Sequence, residues 1–110
     1  MNKDWKPYAH HILECVLKIE QINKRGNLTQ DVILYDAALR NLQTLAEATQ
    51  NLPVDFKSKY ADIPWKQISD FRNVLVHNYL GDIDPEAIEG VIAQHLPALQ
   101  KVIEDMLRSF

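Results

Sequence analysis

The sequence predicts an all-α protein, built as an up-and-down bundle of four antiparallel helices. Two observations lead to this prediction: apolar residues recur at three- and four-residue steps through four segments, and prolines and glycines separate those segments. Nothing in the sequence suggests a pair of strands. The 110 residues contain no repeat, low-complexity tract or linker composition, so we expect a single domain over 1–110.

The first helix is predicted over about 4–23. Pro7 lies in its first turn, where a missing N–H costs little. Lys24 and Arg25 suit the negative end of the helix dipole, and Gly26 suits a left-handed residue that ends the helix.

The second helix is predicted to begin at a cap formed by Asn27 or Thr29 and to reach about Asn51, before Pro53. One face carries apolar residues for the core. A separate polar stripe follows the same helical spacing, and we interpret it as solvated charge pairs. Its members are Asp36, Arg40, Gln43 and Glu47.

The third and fourth helices have clear start signals. The third runs from Pro64 to about Tyr79 and ends at Gly81. Asp84, followed by a proline and an acid, caps the fourth helix. Pro97 removes a hydrogen bond within that helix, so we expect the last helix to be kinked there.

Composition limits the classes of function. A formal charge of −3 argues against a protein that binds nucleic acid mainly through its net charge, and we expect no DNA partner. Binding through a local basic patch is still compatible with this charge. No apolar run approaches the roughly 20 residues that span a bilayer, and the N-terminal segment lacks the apolar stretch of a secretory signal. A single cysteine excludes a disulfide framework and a cysteine-rich zinc site. We therefore expect a cytoplasmic protein without a membrane partner.

Several reactive side chains have simple structural interpretations. Cys15 lies in an apolar stripe and is predicted to be a core residue. His10 and His11 are expected to face solvent, and their spacing does not suit a metal site. His95 falls on the inward face of the last helix and is expected to be buried. Trp65 is expected to pack beneath the loop that enters the third helix, with base stacking as the alternative.

The third helix carries the most informative pattern. On a wheel of about 100° per residue, Arg72, Asn73 and His77 fall on the arc opposite the core face. Val76 and Leu80 lie in the middle of that polar arc, which suggests a surface covered by a second copy of the chain. The alternative is a pair of incidental exposed aliphatics. The predicted core face consists of Ile68, Phe71, Val74, Leu75 and Tyr79.

One helix positions Arg72 and His77 poorly for shared chemistry, because five residues separate them by about 140° around the axis and about 7.5 Å along it. Two such helices that face each other across an interface would form a cleft with both groups from each copy. Asn73 precedes His77 by four residues and is suited to orient its ring or to bind a phosphate oxygen. The structural alternative for His77 is a surface histidine near a helix end.

The segment RNVLVHNY, from Arg72 to Tyr79, resembles the Arg-x4-His-x-Tyr signature of HEPN-domain toxins of the HepT type. The resemblance extends to ALRNLQTLAEA in the second helix, to Ile63-Pro64-Trp65 and to the Leu-Pro-x-Leu step of the last helix, so it covers nearly the whole chain. It implies a HEPN four-helix bundle that works as a homodimeric, metal-independent endoribonuclease and needs no cofactor.

The resemblance also implies roles for individual residues. Arg72 and His77 correspond to the catalytic pair, and Asn73 to a supporting residue at the RNA phosphate. Tyr79 corresponds to the tyrosine that a nucleotidyltransferase antitoxin of the MntA type adenylylates, in a type VII-like toxin–antitoxin system. Two further positions tend to be polar in the family without an assigned role: Arg40 and Glu47.

RNA cleavage fits this chemistry, since RNA carries its own nucleophile in the 2′-OH. A histidine with an ordinary pKa near 6.5 serves as base or acid, and arginine suits the developing oxyanions. Between residues 57 and 72, basic residues outnumber the acidic residues Asp62 and Asp70, and this local positive charge favours RNA binding. The basic residues are Lys57, Lys59, Lys66 and Arg72. Two other classes stay open: a non-catalytic helical partner that binds substrates for a nucleotidyltransferase, and a purely structural bundle.

Overall fold

The computed structural model describes residues 4–77 and 83–109. This part of the chain contains five helices and no strand: α1 Lys6–Arg25, α2 Val32–Thr49, α3 Val54–Lys59, α4 Trp65–His77 and α5 Pro85–Ser109. The all-α prediction is confirmed, and the four long helices correspond to the four predicted ones. The short helix α3 occupies the segment between the second and third predicted helices.

The core lies where α1, α2 and α5 meet. α1 packs against both α2 and α5, and α4 packs against α2. The largest fully buried side chains come mainly from the apolar stripes that the sequence predicts for α1 and α5, and they include Ile12, Ile19, Ile88, Ile103 and Met106. Helical periodicity therefore identified most of the core correctly.

The start of α2 differs from the prediction. Asp31, not Asn27 or Thr29, is the N-cap: its side chain accepts hydrogen bonds from the backbone N–H groups of Ile33 and Leu34 at 3.0 and 3.3 Å. Asn27 instead accepts the Thr29 backbone N–H within the preceding turn. Asp31 has the extended backbone that a capping residue adopts, whereas 27–30 form the turn that follows α1.

The conformation predicted for Gly26 is also wrong. Its backbone is extended, with φ 165° and ψ −169°, rather than left-handed. Glycine is favoured at this position because Leu34 packs close to the backbone: a Cβ atom here would lie 2.9 Å from Leu34 Cδ1. A larger residue would have to displace that side chain.

The beginning of α5 matches its sequence signal. The backbone N–H of Glu86 donates to Asp84 Oδ1 at 3.0 Å, which confirms Asp84 as the cap. The helix continues through Pro97 to Ser109 without ending at the proline. The kink expected at Pro97 stays a prediction.

Three predictions of burial have different outcomes. Cys15 is buried as predicted, with Sγ 3.4 Å from Thr44 Oγ1, and burial raises the pKa of its thiol. His95 is exposed, so its predicted burial is wrong: the period of α5 allows either His95 or its neighbour Leu96 to face the core, and the apolar side chain does so. Val74 is 43% exposed rather than a core residue.

No helix in the described part of the chain is long and apolar enough to cross a membrane.

Candidate functional site

The N-terminal end of α4 is fixed by Trp65. The indole Nε1–H lies 3.1 Å from the carbonyl oxygens of both Lys57 and Tyr60, so it donates to the turn that leads into the helix. The ammonium group of Lys57 lies 5.9 Å from the centre of the same ring, and desolvation lowers the pKa of Lys57. The predicted packing of Trp65 beneath this loop is confirmed.

A second contact ties this turn to α5. The Tyr60 hydroxyl donates to Asp105 Oδ2 at 2.5 Å, and Arg108 contacts the other oxygen of that carboxylate at 3.5 Å. The hydrogen bond to Asp105 is the main reason that the pKa of Tyr60 is raised. The turn before α4 is therefore anchored on two sides.

The faces of α4 agree only in part with the helical wheel, since Val74 is exposed and Arg72 and Val76 are half-buried. Leu75 is the one buried residue of the helix, at 3% exposed. Asn73 and His77 are exposed on the far side, whereas Arg72 and Val76 are half-buried. Tyr79 and Leu80, the predicted modification site and the second interface residue, lie outside the described residues.

The Arg72 guanidinium lies between groups from two helices. Its Nε atom is 3.5 Å from Glu47 Oε1 on α2, and its Nη1 atom donates to Asn73 Oδ1 at 3.2 Å. The Nε atom is buried and makes no hydrogen bond, so its contact with Glu47 is an ion pair rather than an aligned hydrogen bond. Arginine retains further N–H donors at its terminal nitrogens, which can bind a phosphate.

The sequence marked Glu47 as a polar position but assigned it no role in the site. Its Oε1 atom also accepts a hydrogen bond from Gln43 Nε2 at 3.2 Å, and its side chain is 39% exposed. Gln43 and Glu47 form an i,i+4 contact of the kind expected for the α2 polar stripe, but they are half-buried rather than solvated, whereas Asp36 and Arg40 are exposed. Glu47 meets Arg72 because α4 packs on α2, and the residue spacing within α2 alone does not reveal this contact.

His77 is separate from this cluster within one chain. It is exposed in the last turn of α4, where a cation suits the helix dipole. Among the described residues, His77 makes no hydrogen bond with Arg72 or Asn73. The structure thus joins Arg72, Asn73 and Glu47 and leaves His77 open to solvent. No group of three or more potential metal-ligating side chains occurs in the described ranges.

An apolar groove of about 460 Å³ lies between α2, α4 and α5. His95 and Gln67 contribute polar groups to it, but Arg72, Asn73 and His77 do not line it. Its apolar lining includes Leu45, Ile68, Phe71, Val91, Leu96 and Leu99. The groove is thus distinct from the arginine cluster.

Comparison with known proteins identifies the family. Residues 11–106 match the family described as ribonuclease HepT-like. The chain is 34% identical over 106 residues to a Caldanaerobacter subterraneus subsp. tengcongensis protein named "Putative RNase", and the match covers 94% of each chain. A Thermococcus cleftensis protein named "Probable ribonuclease HepT" is 28% identical over 109 residues, which cover 96% of this chain and 98% of that protein.

A longer relative comes from Methanocaldococcus jannaschii. This protein, named "Gamma-glutamylcyclotransferase and putative RNase", is 36% identical over 106 residues, which are 94% of this chain. The chain spans 47% of the length of that relative. No solved structure is significantly similar to the chain. The chain belongs to the HepT-like ribonuclease family, as its sequence resemblance indicated.

The anchoring of α4 gives a first testable prediction. Trp65→Phe removes the indole N–H and leaves two backbone carbonyls without this donor, so we expect the free energy of unfolding to fall by about 1–2 kcal/mol. Urea denaturation followed by circular dichroism measures the change. Trp5→Phe is the matched control, because the half-buried Trp5 ring packs edge-on against Phe56 and makes no indole hydrogen bond among the described residues. An equal loss in both variants would mean that ring volume, rather than hydrogen bonding, accounts for the effect.

Proposed function

We propose that this protein is a metal-independent endoribonuclease and the toxin of a HEPN and nucleotidyltransferase toxin–antitoxin pair. The observation that carries the proposal is the arrangement of α4: in a member of the HepT-like ribonuclease family, a guanidinium held at two positions and an exposed imidazole share one helix. The RNA substrate supplies the nucleophile, so no metal-bound water is required.

The proposed reaction is an internal transesterification. A histidine removes the proton from the 2′-OH, the resulting oxygen attacks the adjacent phosphorus, and the bond from phosphorus to the 5′ oxygen breaks. A second group, acting as a general acid, protonates the departing 5′ oxygen. The products are a 2′,3′-cyclic phosphate and a 5′-hydroxyl. The terminal nitrogens of Arg72 neutralise the charge that develops on the phosphorane oxygens. Asn73 supports Arg72 through its Oδ1 atom.

We further propose that the active enzyme is a homodimer. Each chain offers one histidine in the motif, whereas the reaction uses both a base and an acid. A dimer built over Val76 and Leu80 would bring two copies of Arg72 and His77 to one cleft. Val76 is half-buried within one chain, which leaves part of its apolar side chain for contact with a second copy.

The catalytic proposal predicts that His77→Ala lowers the rate of RNA cleavage by about 10²–10⁴-fold, the range for general acid–base groups. Arg72→Ala should lower it by about 10²–10³-fold, the range for loss of a donor that stabilises developing charge. Purified protein is incubated with RNA in EDTA, and the product ends are identified by mass spectrometry. His10→Ala is the matched control, since this histidine is also exposed on a helix but lies outside the motif. Full activity of a folded His77→Ala protein would refute the catalytic assignment.

The dimer proposal predicts that Val76→Glu lowers the sedimentation coefficient to that of a monomer and abolishes cleavage, because a buried carboxylate would disrupt the interface. Val74→Glu makes the same change on another face of α4, at a side chain already 43% exposed, and should leave the dimer intact. A wild-type protein that sediments as a monomer at micromolar concentration would contradict the proposal.

We propose that Tyr79 is the control point, silenced when the antitoxin transfers AMP to its hydroxyl. The phosphodiester would be attracted to Arg72 and compete with the RNA phosphate, and the adenosine would block access. Tyr79→Phe should keep most of the cleavage activity yet gain no AMP mass with the cognate nucleotidyltransferase and ATP, as measured by intact mass spectrometry. Equal AMP addition to Tyr79→Phe, or full activity of the modified wild type, would disprove this role.

A further inference from the structure

We propose that Glu47 is a positioning residue for Arg72: it holds the Nε edge of the guanidinium so that the terminal nitrogens are presented to an RNA phosphate. This inference rests on the proposed function and deepens it. Glu47 itself is not expected to touch the reacting atoms. Three observations lead to it, and each concerns a different atom of the cluster.

The first observation is which part of Arg72 is enclosed. The side chain as a whole is 32% exposed, but its Nε atom is buried. Glu47 Oε1, at 3.5 Å, is the charged group that compensates this buried nitrogen. A buried donor that lost its compensating charge would carry a desolvation penalty, so the guanidinium would reorient towards water.

The second observation is that Glu47 is itself held. Gln43, one helical turn earlier on α2, donates to the same oxygen that faces Arg72. An i,i+4 pair of this kind restricts the rotamers of the carboxylate. The acceptor is therefore fixed on α2 before α4 brings the arginine to it.

The third observation concerns the opposite end of the guanidinium. Asn73 accepts from Nη1 at 3.2 Å, so two helices hold the planar group at two positions. The remaining N–H donors lie at the terminal nitrogens, which is the edge that binds a phosphate in a bidentate manner. Holding a planar donor in this way fixes the direction of its free edge, and a misplacement of about 1 Å in such a group can cost about 100-fold in rate.

The charge of Glu47 has a separate effect on RNA. A carboxylate this close to Arg72 opposes the approach of a phosphate, so its removal should leave RNA binding unchanged or tighter. The two effects of Glu47 can therefore be separated. Loss of the positioning of Arg72 lowers kcat, whereas loss of the negative charge of Glu47 does not raise KM.

The test compares Glu47→Ala with Glu47→Gln in RNA cleavage. We expect Glu47→Ala to lower kcat by about 10- to 100-fold without raising KM. Glu47→Gln keeps an acceptor oxygen for Gln43 but loses the charge that compensates the buried Nε atom of Arg72, so we expect its kcat to lie between those of the wild type and Glu47→Ala. Asp70→Ala is the control for charge, since this exposed carboxylate on α4 pairs only with Lys66 among the described residues and should leave kcat unchanged.

Two further measurements exclude a merely structural effect. In an Arg72→Ala background, Glu47→Ala should cause no additional loss, because a residue that acts through Arg72 has nothing left to position. The Nε–H signal of Arg72 in ¹⁵N–¹H NMR spectra, assigned by its absence in Arg72→Lys, should be shifted or lost to solvent exchange in Glu47→Ala and retained in Asp70→Ala.

A Glu47→Ala protein with the wild-type kcat would overturn the inference. The inference would also fail if Glu47→Ala lowered the activity of the wild type and of the Arg72→Ala variant by the same factor. If the wild-type protein does not cleave RNA, the proposed function fails, and the Nε–H signal alone decides whether Glu47 holds Arg72. An unchanged signal in Glu47→Ala would then refute the positioning role, and a lost signal would support it.

Discussion

The arrangement of the site depends on the burial of Leu75. This side chain is 3% exposed and is the one buried residue of α4. With Leu75 directed into the core, Arg72 lies about 60° to one side around the helix axis, whereas Asn73 and His77 lie about 160° away. The rotation of α4 therefore sets Arg72 against the edge of α2 beside Glu47 and leaves Asn73 and His77 in solvent. A helix of 13 residues has little stability alone in water, so the contact with α2 both stabilises α4 and fixes its orientation.

The charge distribution has a related consequence for the proposed RNA substrate. A chain with a formal charge of −3 does not attract nucleic acid through its overall field. The exposed pair of Lys66 and Asp70 adds little, since such surface pairs contribute weakly and are screened by salt. Recognition of RNA would then rely on a few directed contacts, of which Arg72 offers the most geometrically defined one. In this setting the orientation of a single guanidinium matters more than the number of cations.

The sequence predicted the helices well because their signals are local. Proline in a first turn, Asp84 as a cap and the three- and four-residue apolar period all act within a few residues. The errors concern features that depend on partners distant in sequence. His95 and Leu96 compete for the same stripe, and packing against the core decides between them. Glu47 faces Arg72 because two helices meet, which no pattern within α2 encodes. The side chains that carry the motif were identifiable from sequence, but their contacts were not.

The helix that carries the motif also has the fewest buried residues of the four long helices. Five residues of α1, seven of α2 and six of α5 are buried, against one of α4. Trp65, Ile68 and Phe71 pack against the core while partly buried, and the hydrogen bonds of Trp65 and the contact between Tyr60 and Asp105 add to this packing at the start of α4. Local opening of α4 would separate Arg72 from Glu47 while the core of α1, α2 and α5 stays packed, because segments with few buried contacts open below the global free energy of unfolding. The stability of the site is consequently a property of the α2–α4 contact rather than of the whole fold.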